Sequence, residues 1–239
     1  MIFILLGGHA IGQNSIKTYR ETYTFHYRTS DSLLLKNLIE KIDPGFTQIE
    51  NFFAERSAIK IQIYLTRSMS EFQLYASQSI PEWAQAVAFV NKRMIILRAA
   101  DADELLRLPQ VLLHELVHIY LGIILPQKRL PTWLHEGIAQ YLSHETLTMD
   151  EQVFIANALY SDRINYLTGL DSMLAFSPMK ARLGYALARS AVDYFVQENG
   201  LPALLEMIKA LNKQNLNQAF LSTTGKDFIG RQVITSSGW

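Results

Sequence analysis

Residues 59–65 read Ile-Lys-Ile-Gln-Ile-Tyr-Leu, with apolar side chains at 59, 61, 63 and 65. Successive side chains of a strand point to opposite faces, so this period of two predicts a β-strand over residues 58–65 with one buried face. Residues 17–28 are rich in Tyr, Thr and Phe and also alternate, which predicts one strand with a solvated side. Between them Leu33, Leu34, Leu35, Leu38 and Ile39 recur at helical spacing behind Asp31, a suitable cap. Pro44-Gly45 should interrupt that helix, and a second helical stretch over 47–55 leads back to the strand. A short helix over 69–76 follows, then strands over 87–90 and 93–97 around the turn residues Asn91-Lys92.

The second half of the chain changes period. Residues 111–122, Val-Leu-Leu-His-Glu-Leu-Val-His-Ile-Tyr-Leu-Gly, form an apolar run long enough for a buried helix. Pro109 suits its first turn, where a missing N–H costs nothing, and Gly122 suits its end. Thr132 can cap the next helix, which carries Trp133 to Leu142. From Met149 onward the apolar spacing is helical throughout, apart from a looser tract over 162–178. No internal repeat, low-complexity segment or linker interrupts the 239 residues. That length suits one domain or two closely packed lobes.

Composition narrows the partners. The 22 basic and 22 acidic side chains balance without long runs, so neither a nucleic-acid groove nor a polybasic membrane patch is expected. No stretch approaches the roughly 20 apolar residues of a membrane span. With no cysteine there is neither a disulfide nor a thiolate ligand. The apolar run 2–6 and the small residues of Ala10-Ile11-Gly12 resemble a clipped signal peptide. Residues 1–16 are thus expected to be a leader remnant or tail, with export to the periplasm or exterior expected and a cytoplasmic location as the alternative.

Within the apolar helix, His114, Glu115 and His118 form His-Glu-x-x-His. Residues four apart share one helix face, so the two imidazoles can address one metal ion. Glu115 then lies beside the metal without binding it. A carboxylate there can take the proton of a water whose pKa the metal lowers to about 7. Catalytic zinc usually has three protein ligands. The metzincin arrangement would need Gly at 121 and His at 124, where this chain has Leu121 and Ile124. The other common arrangement takes a glutamate from the next helix, and Glu136 stands eighteen positions after His118.

The pair Val-Leu-Leu-His-Glu-Leu-Val-His-Ile-Tyr-Leu and Pro-Thr-Trp-Leu-His-Glu-Gly-Ile-Ala-Gln-Tyr-Leu resembles the gluzincins, and within them the peptidase MA-like group. Trp133-Leu134-His135-Glu136-Gly137 also resembles the Trp-Leu-x-Glu-Gly tract of aminopeptidase N-type enzymes. The resemblance implies that Glu136 is the third zinc ligand. The spacing is one residue shorter than in those aminopeptidases, and no Gly-x-Met-Glu-Asn stretch occurs, so aminopeptidase activity is not implied. More weakly, residues 80–98 resemble the family's strand pair before the zinc helix, and 184–211 its closing helices.

This resemblance implies an α+β, zincin-like (thermolysin-like) fold. A small mixed or antiparallel sheet and the metal helix should fill 17–146, and a mostly helical lobe 147–239, with the cleft between them. It implies one Zn2+ per chain, a peptide or protein substrate, and hydrolysis with Glu115 as general base. Tyr185, where the family pattern has a tyrosine, is the candidate donor to the oxyanion. Gln140, one turn after Glu136, is a candidate to orient that carboxylate. His135 lies about 100° round the helix from Glu136, so it is expected to contact substrate or support a ligand rather than share the metal. His9, His26 and His144 read as structural. An extended substrate is expected to pair with a strand at 87–90 if that strand lies at an edge. Alternatives are a latent or silent zincin-like binding module, and a zinc hydrolase of a non-peptide amide.

Overall fold

A computed structural model describes residues 14–54, 59–77, 80, 84–126, 130–160, 170 and 178–228. The leader expectation for 1–16 falls almost wholly outside these residues, as do His9 and nearly all of the loose tract 162–178. The architecture is α+β, with a five-stranded sheet and eight helices among the described residues. The strands are β1 (Asn14–Tyr19), β2 (Tyr23–Arg28), β3 (Ile61–Thr66), β4 (Ala86–Phe89) and β5 (Met94–Arg98). The helices are α1 (Ser32–Phe53), α2 (Met69–Ala76), α3 (Ala102–Ile124), α4 (Thr132–Leu142), α5 (Met149–Tyr160), α6 (Pro178–Asn199), α7 (Leu201–Ala210) and α8 (Leu216–Thr224). No described helix is long and apolar enough to cross a membrane. The chain divides into two compact units, one of residues 1–44 with 56–112, the other of 45–55 with 113–239.

The first unit is built on a mixed sheet of order β1-β2-β3-β5-β4. β2, β3 and β5 run parallel, and β1 and β4 pair antiparallel at the two edges. The register places Tyr23 beside Ile61, Phe25 beside Ile63, Ile63 beside Ile95 and Leu65 beside Leu97. All of these side chains share one sheet face, and all are buried. The opposite face is only partly covered. There Phe72, Ala76 and Ile80 pack on Ile96, while His26 stacks on Tyr64 at 4.3 Å and meets the Gln62 Oε1 at 2.6 Å. His26 thus packs within the sheet face. β4 lies at an edge, the condition that strand pairing with an extended chain requires.

Several expectations change. Residues 17–28 form a hairpin, not one strand, because Arg20 and Glu21 both adopt left-handed backbone at φ 51° and 62°. Neither is Gly or Asn, so the turn carried no ordinary signature. Its Arg20 guanidinium is fastened to the Asp43 carboxylate at 2.7 Å.

Pro44 does not end its helix; α1 continues through it to Phe53. The buried side chains Leu35, Leu38, Ile42, Phe46, Ile49 and Phe53 keep a three-four spacing across the proline. Their burial outweighs a missing hydrogen bond and the ring's clash, about 3 kcal/mol. Asp31 lies inside a 3-10 turn (Thr29–Asp31) that precedes α1, and its carboxylate faces Arg67 at 4.0 Å instead of capping. The tight turn expected at Asn91-Lys92 is a 3-10 turn closed by left-handed Arg93.

α3 likewise starts seven residues before Pro109 and ends at Ile124, past Gly122. Its start is set by Asp101, whose carboxylate accepts the Glu104 N–H at 2.8 Å. Glu104 is buried and ties that end down, accepting the Ala100 N–H at 2.7 Å and pairing with Arg98 at 2.5 Å. Thr132 is the first residue of α4 and Pro131 holds the cap position, accepting the Leu134 and His135 N–H groups at 3.0 Å.

In the second unit α4 packs along α6. Gly137 makes this possible: a Cβ there would stand 2.4 Å from the Ala188 carbonyl oxygen and 2.8 Å from a Val192 methyl. Tyr185, Ala188, Arg189 and Val192 recur at three- and four-residue intervals, so the α6 face against Gly137 also carries Tyr185 and Arg189. Trp133 and Leu134 are buried on α4, and Phe195 and Phe220 meet edge-on at 5.7 Å.

Candidate metal centre

The site begins with a helix that is apolar on nearly every side. Leu112, Leu113, Leu116, Val117, Ile119, Tyr120 and Leu121 of α3 are all buried. Two imidazoles set among them need partners, because a buried polar group left unpaired costs several kcal/mol. His114 and His118 stand one turn apart, and their Nε2 atoms approach to 3.0 Å. Glu136, one residue before the close α4–α6 contact, sends Oε2 to 3.3 Å from the His114 Nε2 and 3.6 Å from the His118 Nε2. No other group of three His, Asp or Glu side chains that could hold a metal occurs among the described residues.

The triangle has the size a tetrahedral zinc requires. Bonds of about 2.0–2.1 Å at a tetrahedral angle separate neighbouring donors by about 3.3 Å, and the three edges here are 3.0, 3.3 and 3.6 Å. Two neutral nitrogens and one carboxylate are also a donor set that zinc takes. The residues fit the ion.

Electrostatics divide the three groups. Burial lowers the His114 pKa, but hydrogen bonds to the Glu136 and Glu145 carboxylates outweigh it and hold it well above the usual imidazole range. Burial pushes His118 down to about 4, assisted by the neighbouring His114 and His135 and only partly opposed by Glu136. For Glu136, burial raises the pKa, yet the three histidines overcome it and keep the carboxyl well below its usual range. Without metal, these directions favour a proton on His114 beside an ionised Glu136, with His118 neutral.

Glu115 is half-buried on α3. Tyr185 is also half-buried and lies within two turns of the start of α6. Burial, then the negative charges of Glu136, Glu115 and Glu145, raise its phenol pKa, so it remains an O–H donor. His135 stacks on the His118 ring at 4.2 Å, and its Nδ1 lies 3.6 Å from Oε1, the other oxygen of the Glu136 carboxylate. It thus touches both His118 and Glu136. Gln140 is buried one turn after Glu136, and its carbonyl accepts the Glu145 N–H at 3.0 Å. His144 meets the Gln48 Oε1 at 2.5 Å, away from the triangle.

Glu145 is the residue that sequence reading missed. Its Oε1 lies 2.6 Å from the His114 Nδ1, on the far side of the ring from the triangle. The available signal was its isolation: it is the only acidic residue between Glu136 and Asp150.

No curated protein matches the chain. The model of one protein family does match, and it covers residues 47–234, which include all the residues of this centre. With most of its length matched, the chain belongs to the Peptidase MA superfamily, a family of peptidase-like enzymes.

Proposed function

We propose that this protein is a zinc-dependent peptidase of the gluzincin type, with residues 17–239 forming one zincin-like, thermolysin-like catalytic domain. The observation that carries the reading is the triangle of His114, His118 and Glu136, whose edges of 3.0 to 3.6 Å suit one tetrahedral ion. These three residues would hold one Zn2+ per chain. When bound, such an ion supplies Lewis acidity, polarising a carbonyl and making water acidic near neutral pH.

The chain's own groups supply the proton transfers. Glu115 takes a proton from the attacking water as its oxygen bonds to the scissile carbonyl carbon. Glu115 then delivers that proton to the departing amine as the C–N bond breaks, so the carboxylate returns to its starting state. Tyr185 keeps its proton and can donate its O–H to the negative carbonyl oxygen. His135, stacked on His118, holds that ring against rotation.

The test is metal content and cleavage of a mixed peptide library, measured on the wild type and on Glu115→Ala and Glu136→Gln. One zinc per chain, retained in Glu115→Ala and weakened in Glu136→Gln, with cleavage lost in both, is the expected result. Zinc without cleavage in the wild type would replace the peptidase reading with that of a latent module or a non-peptide amide hydrolase. Absence of zinc would sink the reading altogether.

A further inference from the structure

The end of α4 is a Schellman turn with an unusual occupant. The His144 N–H bonds to the Tyr141 carbonyl at 3.2 Å, and the Glu145 N–H reaches back to the Gln140 carbonyl at 3.0 Å. Between them His144 takes the left-handed conformation at φ 58°, a place where glycine is usual. The residue after that position commonly packs an apolar side chain on the last helical turn. Here it is Glu145, whose carboxylate turns to His114.

From this geometry we propose that Glu145 is a positioning residue of the metal centre, acting through His114, and that Arg189 holds it there. The inference rests on the zinc reading above. The Glu145 Oε1 accepts from the His114 Nδ1 at 2.6 Å and from the Ser143 Oγ at 3.2 Å. With its Nδ1–H committed to that carboxylate, His114 keeps the Nε2 lone pair directed into the triangle and made more basic. The Glu145 main chain is fixed independently, its carbonyl accepting from the Arg189 Nε at 3.2 Å. Arg189 is itself immobilised: its guanidinium lies 4.5 Å over the Tyr141 ring and pairs with Asp193.

The two histidines are therefore oriented by different means. The His118 Nδ1 is buried with no hydrogen-bond partner among the described residues, and its ring stacks on His135. Only His114 has a carboxylate behind it. A surface acid that merely neighboured the site would not need its own turn, a serine donor and an arginine on its carbonyl.

The experiment uses the full chain and zinc itself. Zinc affinity is read by competition with a chelator, and the imidazole 15N–1H resonances of the zinc-loaded protein report each ring. Glu145→Gln should weaken zinc binding roughly ten- to a hundredfold, and shift the His114 Nδ1–H resonance while leaving His118 in place. Glu145→Asp, which keeps the charge but shortens the reach, should fall between that variant and the wild type. It also carries the test if Glu145→Gln does not fold. Arg189→Lys should move affinity in the same direction by less. Affinity within twofold of wild type in both Glu145 variants, with the His114 resonance unmoved, overturns the proposal while the zinc reading stands. A wild type that binds no zinc overturns both.

Discussion

Gly137→Ala tests the seam that carries the centre. The added methyl would sit 2.4 Å from the Ala188 carbonyl oxygen and 2.8 Å from both the Ala188 carbonyl carbon and a Val192 methyl. Two of these three obstacles are backbone, which cannot rotate aside. Reaching even the 3.0 Å floor for such contacts needs a displacement of about 0.6 Å between α4 and α6, and an ordinary 3.4 Å contact about 1 Å. Overpacking of this kind costs about 1–3 kcal/mol. Alanine recovers about 0.5–1 kcal/mol of helix propensity over glycine, so a net loss of up to about 2.5 kcal/mol, centred near 1 kcal/mol, is expected.

The displacement also separates Glu136 from Tyr185, because each rides on one of the two helices. Misplacement by about 1 Å can lower a rate on the order of a hundredfold. Gly45→Ala provides the contrast. Its nearest obstacle, at 2.5 Å, is the end of the flexible Leu113 side chain, which can change rotamer. Urea unfolding, zinc affinity and peptide turnover should all decline in Gly137→Ala and change little in Gly45→Ala. Equal stability and equal zinc affinity in the two variants would refute the argument that backbone contact, rather than a glycine in mid-helix, sets the position of the site.

Two further outcomes follow from the centre. Tyr185→Phe should keep its zinc and its KM but lose on the order of a hundred- to a thousandfold in kcat, the usual effect of removing one oxyanion donor; steady-state kinetics beside metal analysis checks it. Because hydrogen bonds to the Glu136 and Glu145 carboxylates outweigh burial and raise the His114 pKa, the metal-free centre should hold a proton on His114 that an incoming ion displaces. Zinc binding should therefore release about one proton, and affinity should rise about tenfold per pH unit until the pH passes the raised His114 value. Calorimetry in buffers of different ionisation enthalpy measures this, and zero protons released at pH 7 would contradict the charge assignment.

Much of the site could be read from the residue order because its geometry is local. One helical turn sets His114 beside His118, and the short α3–α4 connection returns Glu136 to them. The strand at 61–66 was legible for the same reason, since its alternation is a property of neighbours. What escaped depends on distant parts of the chain. Pro44 and Pro109 sit inside helices because buried side chains on both sides of each hold the helix together, a tertiary effect that overrides the local breaker. The β1–β2 hairpin and the His144 turn place Arg, Glu and His in left-handed backbone, where only Gly or Asn would have been recognised. Glu145 was hidden by that second turn, because nothing in its immediate neighbours says which way its side chain faces.

If the centre holds the proposed ion, the close contact at Gly137 would make folding and metal retention reciprocal. An ion held at about a thousand times its Kd adds about 4 kcal/mol to the folded state, a sizeable share of the 5–15 kcal/mol by which whole domains exceed their unfolded chains. By the same linkage, a substitution that loosens α4 from α6 would lower the affinity for the ion, even where it touches none of the three residues. An ion at this place would belong to the interior in the way a buried isoleucine does, and chelation should act on the second unit as a core deletion would.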